Sequence, residues 1–156
     1  MTGLDIRLAR PDDRHDLIEL QRRASLAIEG EAVRQQLIDD PGIIDLDPEM
    51  IARNEVFVAE IAARIVGFAT IIAHEGNDAE LEGIFVEPAE WRKGIGSALL
   101  HQIEREAAAW GANRLHVIAN PTAADFYRRA GFVVTGEKKT PLGPMAWLMA
   151  KPVTPR

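Results

Sequence analysis

Apolar and polar residues follow two different periods along this chain. Segments in which every second residue is apolar predict β-strands, and segments with apolar residues every three or four positions predict amphipathic helices. The predicted strands are 5–9, 55–60, 65–72, 79–86, 115–119, 132–137 and 145–150. The predicted helices run from the capping carboxylates at 12–13 to about residue 28, and over 31–39, 96–110 and 122–129, with a further helical turn at 48–52.

The order of these elements is typical of a mixed α/β fold. Strands 55–60 and 65–72 are joined by a tight connection and predict a hairpin. Strands 79–86 and 114–119 are joined through a long helix, so we expect them to lie parallel with a right-handed crossover. Because there is no internal repeat, low-complexity tract or linker, we expect residues 1–156 to form one domain, a mostly antiparallel sheet flanked by about four helices.

Composition narrows the class of protein. The chain has 156 residues, of which 47% are hydrophobic and 27% charged, as in an ordinary globular domain. It has no cysteine, which excludes disulfides, thiolate metal sites and a cysteine nucleophile. The net charge of −6 disfavours a nucleic-acid partner. Residues 1–5 lack the pattern of a signal peptide, and no apolar run is long enough to span a bilayer, so we expect a cytoplasmic protein without a membrane partner.

The segment with the richest chemistry is Arg92-Lys93-Gly94-Ile95-Gly96-Ser97, which lies between a predicted strand and a predicted helix. Two glycines at the start of a helix allow backbone N–H groups and the positive end of the helix dipole to converge on an anion. The alternative is a plain turn into a core helix. A dinucleotide fingerprint fits poorly, because Ala98 and Leu99 stand where a third glycine should come, and a P-loop lacks its Gly-Lys-Ser/Thr.

This segment resembles the acetyl-CoA loop of the GNAT superfamily of N-acetyltransferases, whose signature is Q/R-x-x-G-x-G/A. The matching residues are Trp91-Arg92-Lys93-Gly94-Ile95-Gly96, with Trp91 in place of the usual Gln or Arg. A second segment, from Asn120 through Ala123, Phe126 and Tyr127 to Gly131-Phe132, is similar to the family block N-x-x-A-x-x-(apolar)-Y-x-x-x-G-F. The resemblance extends over residues 6–149 and implies a parallel strand pair that splays apart.

The resemblance also implies roles for individual residues in binding acetyl-CoA as co-substrate. Main-chain groups of Phe85 and Val86 would hold the pantetheine arm, and residues 92–97 would hold the pyrophosphate. Asn120 would bind the cofactor through its side chain, although Asn at this position is also a common helix N-cap. Tyr127, the sole tyrosine, would protonate the leaving thiolate, the alternative being a core aromatic residue.

A base is needed because a protonated amine has no lone pair for attack, and an alkyl ammonium has a pKa near 10.4. Glu80 and Glu82 lie two residues apart on strand 79–86, so their carboxylates share one face. Each could also be a solvent-facing strand residue. Some family members use a glutamate on this strand, directly or through water, and Glu80 lies at the corresponding distance from the loop.

The four histidines do not cluster in the sequence. His74 and His116 are predicted strand residues with structural roles or a place in the cleft, and His15 and His101 are predicted at surface helix positions. Without cysteine, an H-x-x-x-H pair or a carboxylate-rich loop, no metal site is predicted. Ser97 has no G-x-S-x-G context, so a serine hydrolase is not supported either.

The acceptor is the least defined part of the prediction. In the family it is set by the region before the hairpin, here residues 25–54, which is rich in acids and could steer a cationic small-molecule amine or could be ordinary solvated loop. The alternatives are acetylation of a protein N-terminus or lysine, and a noncatalytic acyl-CoA-binding or sensing domain. Homodimers are common in the family, so a homodimer is one expectation for this chain.

Overall fold

The structure is a computed structural model that describes residues 3–140 and 145–154. Its helices are α1 (Arg14–Ile28), α2 (Glu31–Asp39), α3 (Pro48–Ala52), α4 (Ile95–Ala109) and α5 (Pro121–Arg129). Its strands are β1 (Leu4–Leu8), β2 (Val56–Ile61), β3 (Arg64–His74), β4 (Asp78–Val86), β5 (Arg114–Ala119), β6 (Val133–Lys138) and β7 (Ala146–Pro152). Within the described residues, no helix combines the length and the apolar character needed to cross a membrane.

The strands form a seven-stranded sheet in the order β1-β2-β3-β4-β5-β7-β6. Strands β4 and β5 are parallel, with Ala79 opposite Leu115 and Leu81 opposite Val117. The pairs β1–β2, β2–β3, β5–β7 and β6–β7 are antiparallel. The ladder between β4 and β5 ends after Leu81, although β4 continues to Val86. The expected mixed sheet with a parallel pair is therefore confirmed.

The helical turn predicted at 48–52 is confirmed as the short helix α3, with the same bounds. It brings the number of α-helices in the described residues to five, where about four were expected. The Asp47 side chain caps this helix by accepting a hydrogen bond from the Glu49 N–H (2.9 Å), and Pro48 occupies the first helical position. A helix of this length is stable because its ends are capped and Ile51 is buried.

Two compact units make up the chain, and the first comprises Met1–Thr70 and Gly83–Ile103. Helix α1 places Leu17, Leu20 and Ala24 at helical spacing on its buried face. The core of this unit consists of Ala9, Leu17, Leu20, Leu46, Ile51, Val56, Val58 and Phe68, with Phe85 packed against it. Full burial of each large aliphatic or aromatic side chain favours folding by about 1.5–3 kcal/mol before the entropy of ordering is subtracted.

The second unit comprises Ile71–Glu82 and Glu104–Arg156. Alternation along β5 buries Leu115, Val117 and Ala119, whereas His116 lies on the opposite, more open face of the strand. Lys151 on β7 forms an ion pair with Glu104 and donates a hydrogen bond to the Ala130 carbonyl (2.8 Å).

Candidate active site

The first candidate region, the phosphate loop, consists of residues 92–97 between β4 and α4. A short 3-10 helix, Pro88–Glu90, follows β4, and α4 begins at Ile95, whose side chain is anchored in the core. The backbone passes through the left-handed region at Arg92 (φ 66°) and Gly94 (φ 82°). Arg92 pays about 1 kcal/mol for this conformation, since it carries a Cβ. Left-handed residues occur in the backbone nests that bind anions, so this conformation is compatible with the predicted phosphate site.

Gly67 on β3 is a residue of this region that sequence reasoning missed. A Cβ built on Gly67 would lie 2.9 Å from the Phe85 carbonyl oxygen, 3.1 Å from Leu99 Cδ1 and 3.3 Å from Ile95 Cγ2. The absence of a side chain therefore lets β3 approach both the end of β4 and the first turn of α4. A glycine inside a strand pattern is a signal for such a close approach, and it could have identified this position.

Ion pairs hold the segment that leads into the phosphate loop. Glu90 accepts hydrogen bonds from Lys93 Nζ (2.9 Å) and from Arg64 Nη2 (3.1 Å). The Lys93 hydrogen bond, reinforced by Arg64, lowers the pKa of Glu90. Arg23 on α1 binds both carboxylate oxygens of Glu87 at 2.9–3.0 Å. Lys93, a predicted phosphate contact, is thus paired with a carboxylate in this structure.

Trp91 has a definite structural partner. Its indole Nε1–H donates a hydrogen bond to the Val86 carbonyl oxygen (2.8 Å), which ties the loop back to the end of β4. Val86 is one of the residues expected to bind pantetheine through its main chain. A ligand at this strand end therefore meets a carbonyl that already accepts one hydrogen bond.

In the second unit, Asn120 and Tyr127 lie on the segment from β5 to α5. Asn120 Oδ1 accepts a hydrogen bond from the Ala123 N–H (2.8 Å), so Asn120 is the N-cap of α5. Tyr127 is only 4% exposed. Its ring makes edge-to-face contacts with the rings of Phe126 and Phe132, with ring centroids 5.1 Å and 5.4 Å apart. Burial raises the pKa of Tyr127 above its ordinary value, so the phenol keeps its proton throughout the physiological range.

A second candidate region, the histidine cluster, consists of His74, Asp78, Glu80 and His116. His116 Nε2 lies 2.8 Å from Asp78 Oδ2, and the rings of His74 and His116 stack with centroids 4.0 Å apart and planes 10° apart. His74 Nε2 is 3.9 Å from Glu80 Oε1. Sequence reasoning did not bring these residues together, because they converge only through the strand register that sets Glu80 opposite His116.

Asp78 is the most enclosed member of the histidine cluster, with 7% of its side chain exposed. The His116 hydrogen bond is the main cause that lowers the pKa of Asp78, and Arg114 adds to it through its backbone N–H (3.2 Å) and its Nε (3.5 Å). The carboxylate is therefore ionised at neutral pH. An ionised carboxylate accepts only, so His116 Nε2 carries the hydrogen of this bond.

The three groups of this cluster that could approach one metal ion are His74, Asp78 and His116, whose ligand atoms lie within 4.8 Å of one another. An imidazole nitrogen binds a metal along a lone pair in the plane of its ring. Two parallel rings stacked 4.0 Å apart cannot both direct such lone pairs at one ion. The arrangement suits proton transfer better than metal binding.

The remaining predicted site residues are exposed. Glu82 shares the face of Glu80 on β4 but lies in a more open position, and Ser97 is exposed on the first turn of α4. His15 on α1 and His101 on α4 are both exposed, which confirms the surface positions predicted for them.

Comparison with known proteins gives a family match. The profile of the Acetyltransferase (GNAT) family matches residues 15–132. The uncharacterised N-acetyltransferase YafP of Escherichia coli is 30% identical over 141 residues, which cover 89% of this chain and 87% of YafP. An uncharacterised N-acetyltransferase of Mycobacterium bovis is 33% identical over 94 residues, which cover 58% of this chain. That match spans 60% of the length of the mycobacterial relative, less than two thirds.

Solved structures give the same fold. The PaiA N-acetyltransferase from Thermoplasma acidophilum, crystallised in complex with coenzyme A, superposes with a TM-score of 0.78. The superposition covers 97% of this chain and 99% of that chain, at 22% sequence identity. At this level of identity the likeness establishes the fold and leaves the acceptor open.

Proposed function

This chain belongs to the GNAT family of acetyltransferases, and from that premise we propose that it transfers the acetyl group of acetyl-CoA to a primary amine. The observation that carries the proposal is the phosphate loop, a strand–loop–helix junction with reversed backbone at Arg92 and Gly94. Residues 1–156 would form one acetyltransferase domain. The proposed reaction is direct attack of the amine on the thioester within a ternary complex.

The donor half of the reaction rests on backbone groups. We expect the N–H groups of residues 92–97 and the positive end of α4 to bind the pyrophosphate. Arg92 adds a cation, and Lys93 adds a second one when it leaves Glu90. Main-chain groups of Phe85 and Val86 would bind the pantetheine arm by strand-like hydrogen bonds.

Asn120 and Tyr127 are expected to act on the same donor. The side-chain oxygen of Asn120, Oδ1, accepts the hydrogen bond that caps α5. The side-chain NH₂ is then the group that would bind the cofactor. Tyr127 would place its hydroxyl against the leaving sulfur. A thiolate has an ordinary pKa near 8.5, so a phenol whose pKa is raised by burial is better suited to hydrogen-bonding the sulfur than to surrendering its proton outright.

The chemical steps need no covalent enzyme intermediate. The amine nitrogen forms a bond to the carbonyl carbon, the C–S bond breaks, and the electron pair leaves on sulfur. A strand N–H polarises the carbonyl oxygen as negative charge develops there. On the family resemblance alone, Glu80 and Glu82 are the carboxylates that would assist removal of the amine proton, directly or through water.

We favour a small-molecule amine as acceptor, with a protein N-terminus or lysine as the alternative. Electrostatic steering by the acids of residues 25–54 supports this choice only in part. Asp45 is paired with Arg14 (2.6 Å), Asp47 caps α3, and Asp39 accepts a hydrogen bond from Gln35 (2.9 Å). These three carboxylates have structural tasks, so fewer acids are available to attract a cation.

The test is amine-dependent release of coenzyme A from acetyl-CoA. Because the chain has no cysteine, a thiol reagent reports coenzyme A alone. The amines would be putrescine, phenethylamine, alanine and a peptide with a free N-terminal alanine and one lysine, with the acetylated product identified by mass. Release with a small amine supports the proposal, and release with the peptide alone favours protein acetylation. Binding of acetyl-CoA with no release in any mixture favours a noncatalytic sensor.

A further inference from the structure

The geometry of the histidine cluster points to a proton acceptor that the family motifs do not include. We propose that His116 takes the proton from the acceptor amine at its Nδ1, with Asp78 as the residue that positions its ring. This inference rests on the acetyl transfer proposed above. It makes His116, rather than Glu80 or Glu82, the base of that reaction.

The orientation of the His116 ring is set by Asp78. Asp78 lies on β4 and fixes His116 Nε2 at 2.8 Å. The carboxylate of Asp78 is itself held by the backbone N–H and the Nε of Arg114. With the hydrogen on Nε2, the lone pair of neutral His116 resides on Nδ1. A carboxylate that fixes one ring nitrogen and leaves the other as a base is a recurrent arrangement in acid–base catalysis.

The cluster contains two alternative proton acceptors, Glu80 and His74. Glu80 Oε1 lies 3.9 Å from His74 Nε2, whereas histidine is the side chain most often used as a proton acceptor near neutral pH. Among the described residues, His74 Nδ1 is the buried side-chain nitrogen or oxygen atom that has no hydrogen-bond partner. That nitrogen is closed to solvent and cannot receive a proton from a substrate, and the other ring nitrogen of His74, Nε2, faces the Glu80 carboxylate at 3.9 Å. His116 is the remaining candidate.

The cluster must accommodate the positive charge that forms when His116 accepts a proton. Transfer of the amine proton to Nδ1 makes His116 an imidazolium cation. Asp78 binds one edge of this ring, and Glu80, which also carries a carboxylate, lies opposite His116 in the pairing of β4 with β5. Arg114 on β5 approaches the same Asp78 carboxylate through its Nε (3.5 Å), and the residue opposite His116 on β7 is the apolar Ala150. Stacking against His74 keeps the ring plane fixed, since the centroids are 4.0 Å apart. The proton then passes to solvent, and neutral His116 is restored.

The unpartnered nitrogen of His74 is consistent with this role. A buried polar atom without a hydrogen-bond partner is unfavourable, and such atoms in native structures call for an explanation. Here the explanation is that the ring of His74 is placed by stacking on His116 and by the approach of its Nε2 to Glu80. His74 is therefore a positioning residue in the proposal.

The proposal predicts the pH dependence of turnover. His116 accepts a proton only when it is neutral, so kcat/KM should show a limb that falls toward acidic pH. We expect His116→Gln to lower kcat/KM by about 100-fold and to remove this acidic limb, because glutamine can bond Asp78 but cannot accept the proton. Asp78→Asn should lower kcat/KM by about 10-fold and displace the limb, since it retains the shape and removes the anion.

The experiment is the pH profile of kcat/KM, measured with saturating acetyl-CoA and whichever of the four panel amines turns over fastest. His15→Gln is the matched control, because His15 is an exposed histidine on α1. The dissociation constant of acetyl-CoA, measured on every variant, should change less than about twofold and shows that the variant is folded. If His116→Gln does not fold, Asp78→Asn and His74→Phe provide the same pH readout.

Three results would overturn the proposal. One is a normal profile in His116→Gln together with loss of the acidic limb in Glu80→Gln, which would make Glu80 the base. Another is loss of activity with a chelator and its recovery with zinc, which would make the cluster a metal site. The third is turnover by the unaltered chain that no cluster variant changes. Absence of turnover by the unaltered chain, with acetyl-CoA still bound, would instead overturn the proposed function and this inference with it.

Discussion

The phosphate loop takes its groups from one continuous segment, residues 92–97, whereas the histidine cluster combines side chains from three strands. In the loop, the backbone at Arg92 and Gly94 would provide the proposed binding groups, and Glu90 is paired with Lys93. In the cluster the side chains come from β3, β4 and β5, and they would carry the proposed chemistry. The loop is suited to holding an anion, and the cluster is suited to moving a proton.

This difference predicts that changes in the two regions affect different kinetic quantities. Variants of the phosphate loop should weaken binding of acetyl-CoA and leave the chemical step intact. Variants of the second unit that touch reacting groups should lower kcat and leave the dissociation constant of acetyl-CoA unchanged. Substitutions in the two regions test whether acetyl-CoA binding and kcat change separately.

Tyr127→Phe should give the largest effect. It removes one hydroxyl and keeps a ring that is packed against Phe126 and Phe132, so the fold should persist. We expect kcat to fall by about 100-fold, because the leaving sulfur loses its hydrogen-bond donor, with the dissociation constant of acetyl-CoA nearly unchanged. Steady-state kinetics and a binding titration on the same preparation measure both.

Phe126→Leu is the control for that substitution, since it alters packing on the same helix without removing a hydroxyl. If Tyr127→Phe retains full turnover, Tyr127 is a core aromatic residue and its part in the reaction is rejected. Equal losses in the two variants would lead to the same conclusion.

Gly94→Ala should act on the other side of the comparison. Gly94 has a φ of 82°, which an alanine adopts at a cost of about 1 kcal/mol, and the new Cβ would project from the segment proposed to bind the pyrophosphate. We expect the dissociation constant of coenzyme A to rise by about 10-fold while kcat at saturation is retained. Isothermal titration calorimetry with coenzyme A gives the constant directly.

Gly76→Ala is a matched control, because Gly76 also has a left-handed φ (68°) and, as at Gly94, a Cβ added to it would have no atom within 4 Å. The two variants should lose similar thermal stability, and only Gly94→Ala should weaken coenzyme A binding. Equal binding in both would remove residues 92–97 as the phosphate site.

Glu80→Gln and Glu82→Gln form an isosteric pair on one face of β4 that tests the histidine cluster. Glu80 lies 3.9 Å from His74 Nε2, whereas Glu82, two residues further along β4, is exposed. We expect Glu80→Gln to lower kcat by about fivefold through loss of a neighbouring anion, and Glu82→Gln to change it less than twofold. A larger effect of Glu82→Gln in the pH–rate profile would shift the base to that residue.

The same contrast explains how far the sequence predicts this molecule. Periodicity and turn residues predict all seven strands and the four longer helices, because each signal is local. The phosphate loop is predictable for the same reason. The histidine cluster is not, because the register that sets Glu80 opposite His116 is a property of strand pairing, which one sequence does not specify. The pairing of Arg64 with Glu90, which are 26 positions apart, is hidden from the sequence on the same ground.

Trp91→Phe should give a smaller effect. The substitution removes the indole N–H that donates to the Val86 carbonyl (2.8 Å) and keeps an aromatic ring. Loss of one partly exposed hydrogen bond is worth about 1 kcal/mol, so KM for acetyl-CoA should rise by about threefold to fivefold with kcat retained. Trp110→Phe is the control, because Trp110 is equally exposed (39% against 38%) and its Nε1 donates to Glu106. A fall in kcat with unchanged KM would show that Trp91 acts on the chemical step.

Glu90→Gln should give the smallest effect, and in the opposite direction. Glu90 competes with the phosphate for Lys93, whose Nζ lies 2.9 Å from its carboxylate. Without that charge, Lys93 is released toward the ligand, and we expect coenzyme A to bind about twofold more tightly with a steeper dependence on salt. Glu87→Gln changes the net charge equally but releases Arg23 on α1 instead. Equal tightening in both variants would mean that overall charge, rather than the Lys93–Glu90 pair, sets the affinity of the phosphate loop.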